Sequence, residues 1–331
     1  MTDKPGKGLF FRRLALAALP PLAYVLVCGG LPLWSGELTP LREIAAAQSR
    51  GEIALFGRAY RGNQYGFKLV STLERDAQIV VVGSSRVDQF RPRVASPCFY
   101  NASGAAHSMA ELSAFFAHIG PERYPRAVVL ALDQPWFNGD SDEMKTAASD
   151  VLQLDYESEV DLYRGLNVSR SFLIDLIRGK VELNRLLRRR ERFREEPARG
   201  IGAILGGHGY RADGTYEYAG LLADSLGSER RRPLIAADVA SGKGFFATGT
   251  NVSAPMLSAL DGLLADLARH GVSVVGFTPP YAPTLYRYMM ASGKHAYLTH
   301  LALALERTFR RHGFTFIDFS DASMLGATDE M

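Results

Sequence analysis

Cysteine is nearly missing from this 331-residue chain: it has only Cys28 and Cys98. Cys28 lies inside a long apolar run, so Cys98 stands alone in the polar part. That excludes an internal disulfide framework and a cysteine-built zinc site. A dominant charge sign is also missing. Thirty-eight basic residues face 35 acidic ones, a formal net charge of +3, too small for this length to argue for nucleic acid. No internal repeat or long low-complexity run is visible. No His/carboxylate grouping has metal-ligand spacing, His295 and His300 being five apart. The glycines between Gly200 and Gly209 lack the preceding strand that a nucleotide-binding loop needs. Neither a metal nor a cofactor is expected.

One stretch stands out. Residues Leu14 to Trp34, LALAALPPLAYVLVCGGLPLW, carry no charge. About 20 apolar residues span the hydrocarbon core of a bilayer, and each charge at its centre would cost a few kcal/mol. Lys4, Lys7, Arg12 and Arg13 precede the run and Glu37 follows it. Basic flanks stay in the cytoplasm, so residues 1–13 are expected inside and the rest outside a bacterial-type inner membrane. A cleaved signal would have a shorter apolar core and a small-residue cleavage site, which Ser35-Gly36 does not supply. A lipoprotein signal at Cys28 would want a small residue where Val27 stands. In a soluble helix interior Pro20, Pro21 and Pro32 would be disruptive, whereas membrane helices accept proline more readily.

Residues 35–74 read as a connector with short helical stretches. After it the pattern becomes regular. Gln78–Gly83 (QIVVVG), Cys98–Asn101, Ala127–Asp133, Val272–Thr278 and Phe314–Asp318 read as strands. Helical spacing covers Ser108–Ile119, Pro255–His270 and Tyr297–His312, with Ser108 and Glu111 in capping-box positions. Alternating strands and helices predict an α/β domain over 75–331, three-layered, its parallel sheet covered on both faces. Residues 139–250 break the alternation and read as a helical insertion or cap. Within it, Arg188, Arg189, Arg190, Arg192 and Arg194 alternate with Glu191, Glu195 and Glu196, the pattern of a solvated, ion-paired helix.

Ligands in an open parallel sheet bind beyond the carboxyl ends of the strands. That selects Ser84, Ser85 and Arg86, then Asn101 to Gly104, Asp133 and Gln134, Thr278 to Tyr281, and Asp318 with Asp321. A strand followed by Gly83-Ser84-Ser85-Arg86, then a short strand with Asn101-x-x-Gly104, resembles the opening of the SGNH (GDSL-like) hydrolase superfamily. The likeness is nearest to membrane-anchored members that acylate or deacylate envelope polymers, such as alginate O-acetyltransferases and the teichoic-acid D-alanylation protein. It covers Gln78 to Asp133 well and Val272 to Asp318 more loosely.

The resemblance implies a flavodoxin-like sheet and a nucleophilic Ser85. It implies oxyanion donors at the Ser85 and Gly104 amides, an acyl-serine intermediate, and a polysaccharide or other acylated envelope polymer as substrate. A membrane-bound acyltransferase would be a natural partner. Two departures stand beside it. Asp133 occupies the place of the family's donor asparagine, and an ionised carboxylate donates nothing; Gln134 is the substitute. The family's Asp-x-x-His pair, which activates the serine, belongs about where this chain reaches Glu330-Met331. Asp318 and Asp321 come too early, and His107 follows the wrong strand. The expectation is therefore a chain that stops short of its base, or a non-catalytic relative that binds glycan or a membrane partner. Arg86 could steer an anion, or be an ordinary solvated first-turn residue.

Overall fold

The computed structural model of the chain describes residues 6–60, 63–92, 98–141, 162–184, 197–218, 238–239, 241–242 and 244–328. The chain divides into two compact units, Met1–Gly62 with Ser158–Gly209, and Asn63–Glu157 with Tyr210–Met331.

The first unit begins with the apolar run. Helix α1 (Gly6–Tyr24) continues through a π-helical turn, Val25–Gly29, into α2 (Gly30–Ser35). Residues Phe10–Ser35 form a helix long and apolar enough to cross a membrane, and little of it is buried. Gly36, at φ +82°, ends it in the left-handed conformation that favours glycine. Glu37 then turns inward. Its carboxylate accepts N–H bonds from Ala59, Tyr60 and Ile201, each at 2.9 Å. Burial pushes its pKa up, against the opposing pull of those three amides. The unit also holds α3 (Leu41–Ser49) and α6 (Leu162–Ile177). Strands β1 (Leu55–Phe56) and β5 (Ala198–Arg199) pair in parallel. Residues 35–62 of the expected connector and part of the expected cap thus share one unit, while 63–74 of that connector belong to the second. The arginine-rich stretch, Arg188 to Arg194, lies outside the described residues.

The second unit is built on a five-stranded parallel sheet: β2 (Ile79–Gly83), β3 (Phe99–Ser103), β4 (Ala127–Ala131), β8 (Ser273–Thr278) and β9 (Thr315–Asp318). Their order is β3-β2-β4-β8-β9, the 2-1-3-4-5 order of flavodoxin-like sheets. The β-branched Ile79-Val-Val-Val82 run lies inside the sheet, between β3 and β4, because it is apolar on both sides. Register is in step: Val81 sits beside Asn101 and Val129, and Val129 beside Val275.

The helices are α4 (Gln64–Arg75), α5 (Met109–Ile119), α7 (Ala254–Arg269), α8 (Pro283–Ala291) and α9 (Tyr297–Arg311). Helices α4, α5, α7 and α9 bury against one sheet face, where Val80, Val82, Tyr100, Val128, Leu130 and Val274 meet Leu69, Phe115, Leu264, Leu305 and Phe309, and Met289 of α8 joins the same cluster. Connections leading from β3 to β4, β8 and β9 all advance in one direction, and right-handed crossovers put them on one side. The opposite face carries a small cluster of Val81, Val87, Phe99, Ala131 and Phe277. Ile79, Val275 and Ile317 there are each 39 % exposed. Coverage of both faces by helices, expected from sequence, is therefore not found among the described residues, where the connection leaving β2 begins with a 3₁₀ turn, Ser85–Val87.

A hairpin completes the unit. Strand β6 (His208–Arg211) passes from the first unit into the second and is followed by β7 (Tyr216–Tyr218). Its turn lies against β3, with the Asn101 N–H given to Asp213 O at 2.8 Å. Lys68, fully buried, donates to the carbonyl oxygens of Asn101 and Gly214 and lies over the rings of Tyr210 and Tyr100.

Candidate functional site at the carboxyl ends of the strands

The chain direction reverses between β2 and β4, the switch point where open sheets leave a crevice. Ser84 to Arg86 leave the end of β2, and Asp133 and Gln134 leave the end of β4. The loop after β2 is firmly held. Ser84 is buried and caps the 3₁₀ turn, its hydroxyl accepting from the Arg86 N–H at 3.2 Å. Asp88 N–H returns to Ser85 O at 3.1 Å. The side-chain amide of Asn101 donates to Val87 O and Phe90 O, both at 2.8 Å. Asp88 is buried and accepts from Ser103 Oγ and Tyr218 Oη, both at 2.7 Å. Within this frame Ser85 is exposed.

The other residues selected from sequence come together differently than expected. Arg86 neither reaches into solvent nor waits for an anion. Its Nη1 donates to Asp133 Oδ1 at 3.2 Å and to Gln134 Oε1 at 2.9 Å. Its Nη2 donates to Pro279 O at 2.9 Å and Pro280 O at 2.7 Å. The guanidinium also stacks over the Tyr281 ring, 4.6 Å from its centre. Asp133 has no solvent exposure, and its Oδ2 has no hydrogen-bond partner. Burial raises its pKa, opposed first by the Arg86 charge and then by the Ser84 hydroxyl.

Gln134 Nε2 donates to Pro279 O at 2.8 Å and to Ser320 Oγ at 2.9 Å. Ser320 Oγ in turn donates to Asp318 Oδ1 at 2.6 Å, where Thr278 Oγ1 also donates, at 2.5 Å. A continuous polar seam thus ties together the ends of β2, β4, β8 and β9. Asp321 is an N-cap, accepting from Ser323 N–H at 2.9 Å.

Gly104 sits at φ +76°, a conformation that suits glycine. A Cβ there would run into the side chain of Gln64. Its N–H is given to Gly83 O at 2.7 Å, so serving an oxyanion would require leaving that acceptor. The Gln134 amide, the expected substitute donor, is likewise engaged. The Ala106 N–H also approaches Gly83 O, at 3.4 Å, which ties the segment leading to His107 to the end of β2. His107 pairs with Glu111 at 3.4 Å, and that contact raises the imidazole pKa, with burial opposing.

Other histidines have other partners: His295 faces Phe246 O at 3.1 Å, His312 faces Asp261 at 2.8 Å, and His118 faces Tyr65 at 2.6 Å. Among the described residues none is hydrogen-bonded to Ser85.

Sequence reasoning found the strand ends, Ser103 among them, but missed Asp88 and Ser320. These are ordinary turn and strand residue types, and nothing in their local pattern announces a seam. Comparison with known proteins adds no identity: no family model, no curated protein and no solved structure matches the chain.

Proposed function

We propose that the second unit is an SGNH-like serine esterase or O-acyltransferase, anchored in an inner membrane with its N-terminus in the cytoplasm. It acts outside on a cell-envelope or exported polysaccharide. The observation that carries this reading is Ser85: an exposed hydroxyl on a braced turn, directly after the inner strand β2 and at the switch point of the sheet. A serine so placed can attack an ester carbonyl, and its own N–H lies near the charge that develops. The proposed cycle forms an acyl-serine, which water or a sugar hydroxyl then resolves. The base is not identified among the described residues. The test is to treat membranes containing the natural full-length protein with a fluorophosphonate probe, beside Ser85→Ala. Labelling that depends on Ser85 supports the proposal; a folded protein that stays unlabelled removes it.

A second reading is favoured by a different observation. Arg86, Gln134 and the Gly104 amide are all engaged with one another's strands, which suits a rigid scaffold that binds glycan or a membrane-bound acyltransferase without chemistry. Retention on the polymer by a protein that never labels would select it.

A further inference from the structure

Helix α6 is apolar on two opposite sides. Val168 and Phe172 are buried, and Phe172 packs with Ile201, Ala203 and Ile204. On the other side Leu166, Leu173 and Ile177 recur at positions that share one helix face. Leu166 is 55 % exposed and Ile177 76 % exposed; Leu173 is half-buried. A helix apolar on both sides belongs in a core or in lipid. Arg170 lies between Leu166 and Leu173, and Arg178 and Lys180 follow Ile177; all three are exposed.

The position of α6 within the first unit says which medium meets the outer side. It packs on the π turn Val25–Gly29 and on α2, both within the long apolar helix. Val27, Leu31, Trp34 and Leu176 join the cluster around Phe172, and Cys28 is buried although the apolar helix as a whole is not. Arg13 is the last charge before the run. At about 1.5 Å per residue, Val25–Gly29 lies roughly 18–24 Å beyond it, inside a hydrocarbon core of about 30 Å. An element packed on that stretch cannot stand clear of the bilayer.

We infer that α6 lies in the leaflet on the side of the folded domain, with Leu166, Leu173 and Ile177 against acyl chains and Arg170, Arg178 and Lys180 among the headgroups. The first unit is then a membrane-surface module whose partner is lipid itself. Helices of mixed apolar and basic character lie at that depth, and long basic side chains reach outward from it to the phosphates. This inference rests on the reading of Phe10–Ser35 as a span, and not on any activity of Ser85.

The experiment uses the full chain reconstituted in vesicles of phosphatidylethanolamine and phosphatidylglycerol. Single cysteines replace Leu166 or Ile177 in a Cys98→Ser background, and a nitroxide is attached. The label's relaxation by oxygen, which concentrates in lipid, is compared with that by a water-soluble nickel chelate. Leu22→Cys on α1 is the lipid reference and Leu303→Cys on α9 the water reference. Both test positions are exposed, so the labels leave packing intact. Oxygen dominating at 166 and 177, as at 22, is the expected result. Nickel dominating at both while oxygen dominates at 22 overturns the inference and leaves the span standing. Nickel dominating at 22 as well means the span itself is misread, and the inference goes with it.

Discussion

Replacing Arg86 with methionine strips the polar seam of its cation and tests whether that seam holds the second unit together. The stem is kept, so the loss is four N–H bonds and one charge. Asp133, with no solvent exposure, is left without its cation. Removing one partner of a buried ion pair typically costs about 3–5 kcal/mol. The aspartate has an escape, since it can take a proton. At pH 7 that costs a carboxyl of ordinary value 3.8 about 4 kcal/mol, and less here because burial has already raised its pKa. At pH 5 the same escape costs under about 2 kcal/mol.

Arg86→Met is therefore expected to destabilise by roughly 3–4 kcal/mol at pH 7 and by about 2 kcal/mol less at pH 5. Adding Asp133→Asn removes the stranded charge, so the double variant should be more stable than Arg86→Met alone. The cycle should show coupling of about 2 kcal/mol. Urea unfolding followed by tryptophan fluorescence suits the case. Trp136 is buried three residues beyond Asp133, and the only other tryptophan is Trp34 in the apolar helix. A loss below about 1 kcal/mol, or one equal at both pH values, would refute the reasoning.

Further outcomes follow from other contacts. Glu37→Ala leaves three amide N–H groups without their acceptor; it should cost at least about 3 kcal/mol and open the first unit to limited proteolysis, whereas a cut pattern like the parent's would speak against that role. Lys68 has its pKa lowered by burial to about 7. Its unfolded form binds more protons between pH 7 and the ordinary 10.5, so its contribution to stability grows as pH rises through that window and is lost as pH falls through 7. The melting temperature of Lys68→Met should lack that slope, and an unchanged slope would assign it elsewhere. Gly104→Ala should cost about 1–2 kcal/mol for the left-handed backbone alone. It should cost more through the Gln64 side chain, and Gln64→Ala should restore only the second part, as read in denaturation midpoints.

The readable parts of this fold are those whose cause is local. The runs at Ile79–Gly83 and Ala127–Ala131 are strands because nothing else suits consecutive β-branched and apolar residues flanked by turn formers. Ser108 and Glu111 announce a helix start by chemistry four residues wide, and the Ser108 hydroxyl does accept from Glu111 N–H, at 3.2 Å. What was hidden depends on partners far along the chain. Arg86 looked like a first-turn residue because its acceptors at Pro279 and Pro280 are 193 and 194 positions away. The hairpin at His208–Tyr218 fell inside the stretch 139–250 that read as a helical insertion, since its place against β3 depends on Lys68 and Asn101. The union of 1–62 with 158–209 rests on Glu37 finding amides at Ala59, Tyr60 and Ile201, a match invisible to periodicity.

The way the hairpin turn closes on β3 has a consequence for how copies of this protein can meet. A sheet grows by strand addition only where its outermost strand offers free amides and carbonyls. On the β3 side the Asn101 N–H and C=O are already satisfied by Asp213 and Lys68, so a foreign strand finds little to pair with. The opposite border, Thr315–Asp318, has no such guard among the described residues. Self-association through cross-strand pairing is thereby directed to one border, where an exposed position, Thr315, is the natural place for a protective lysine.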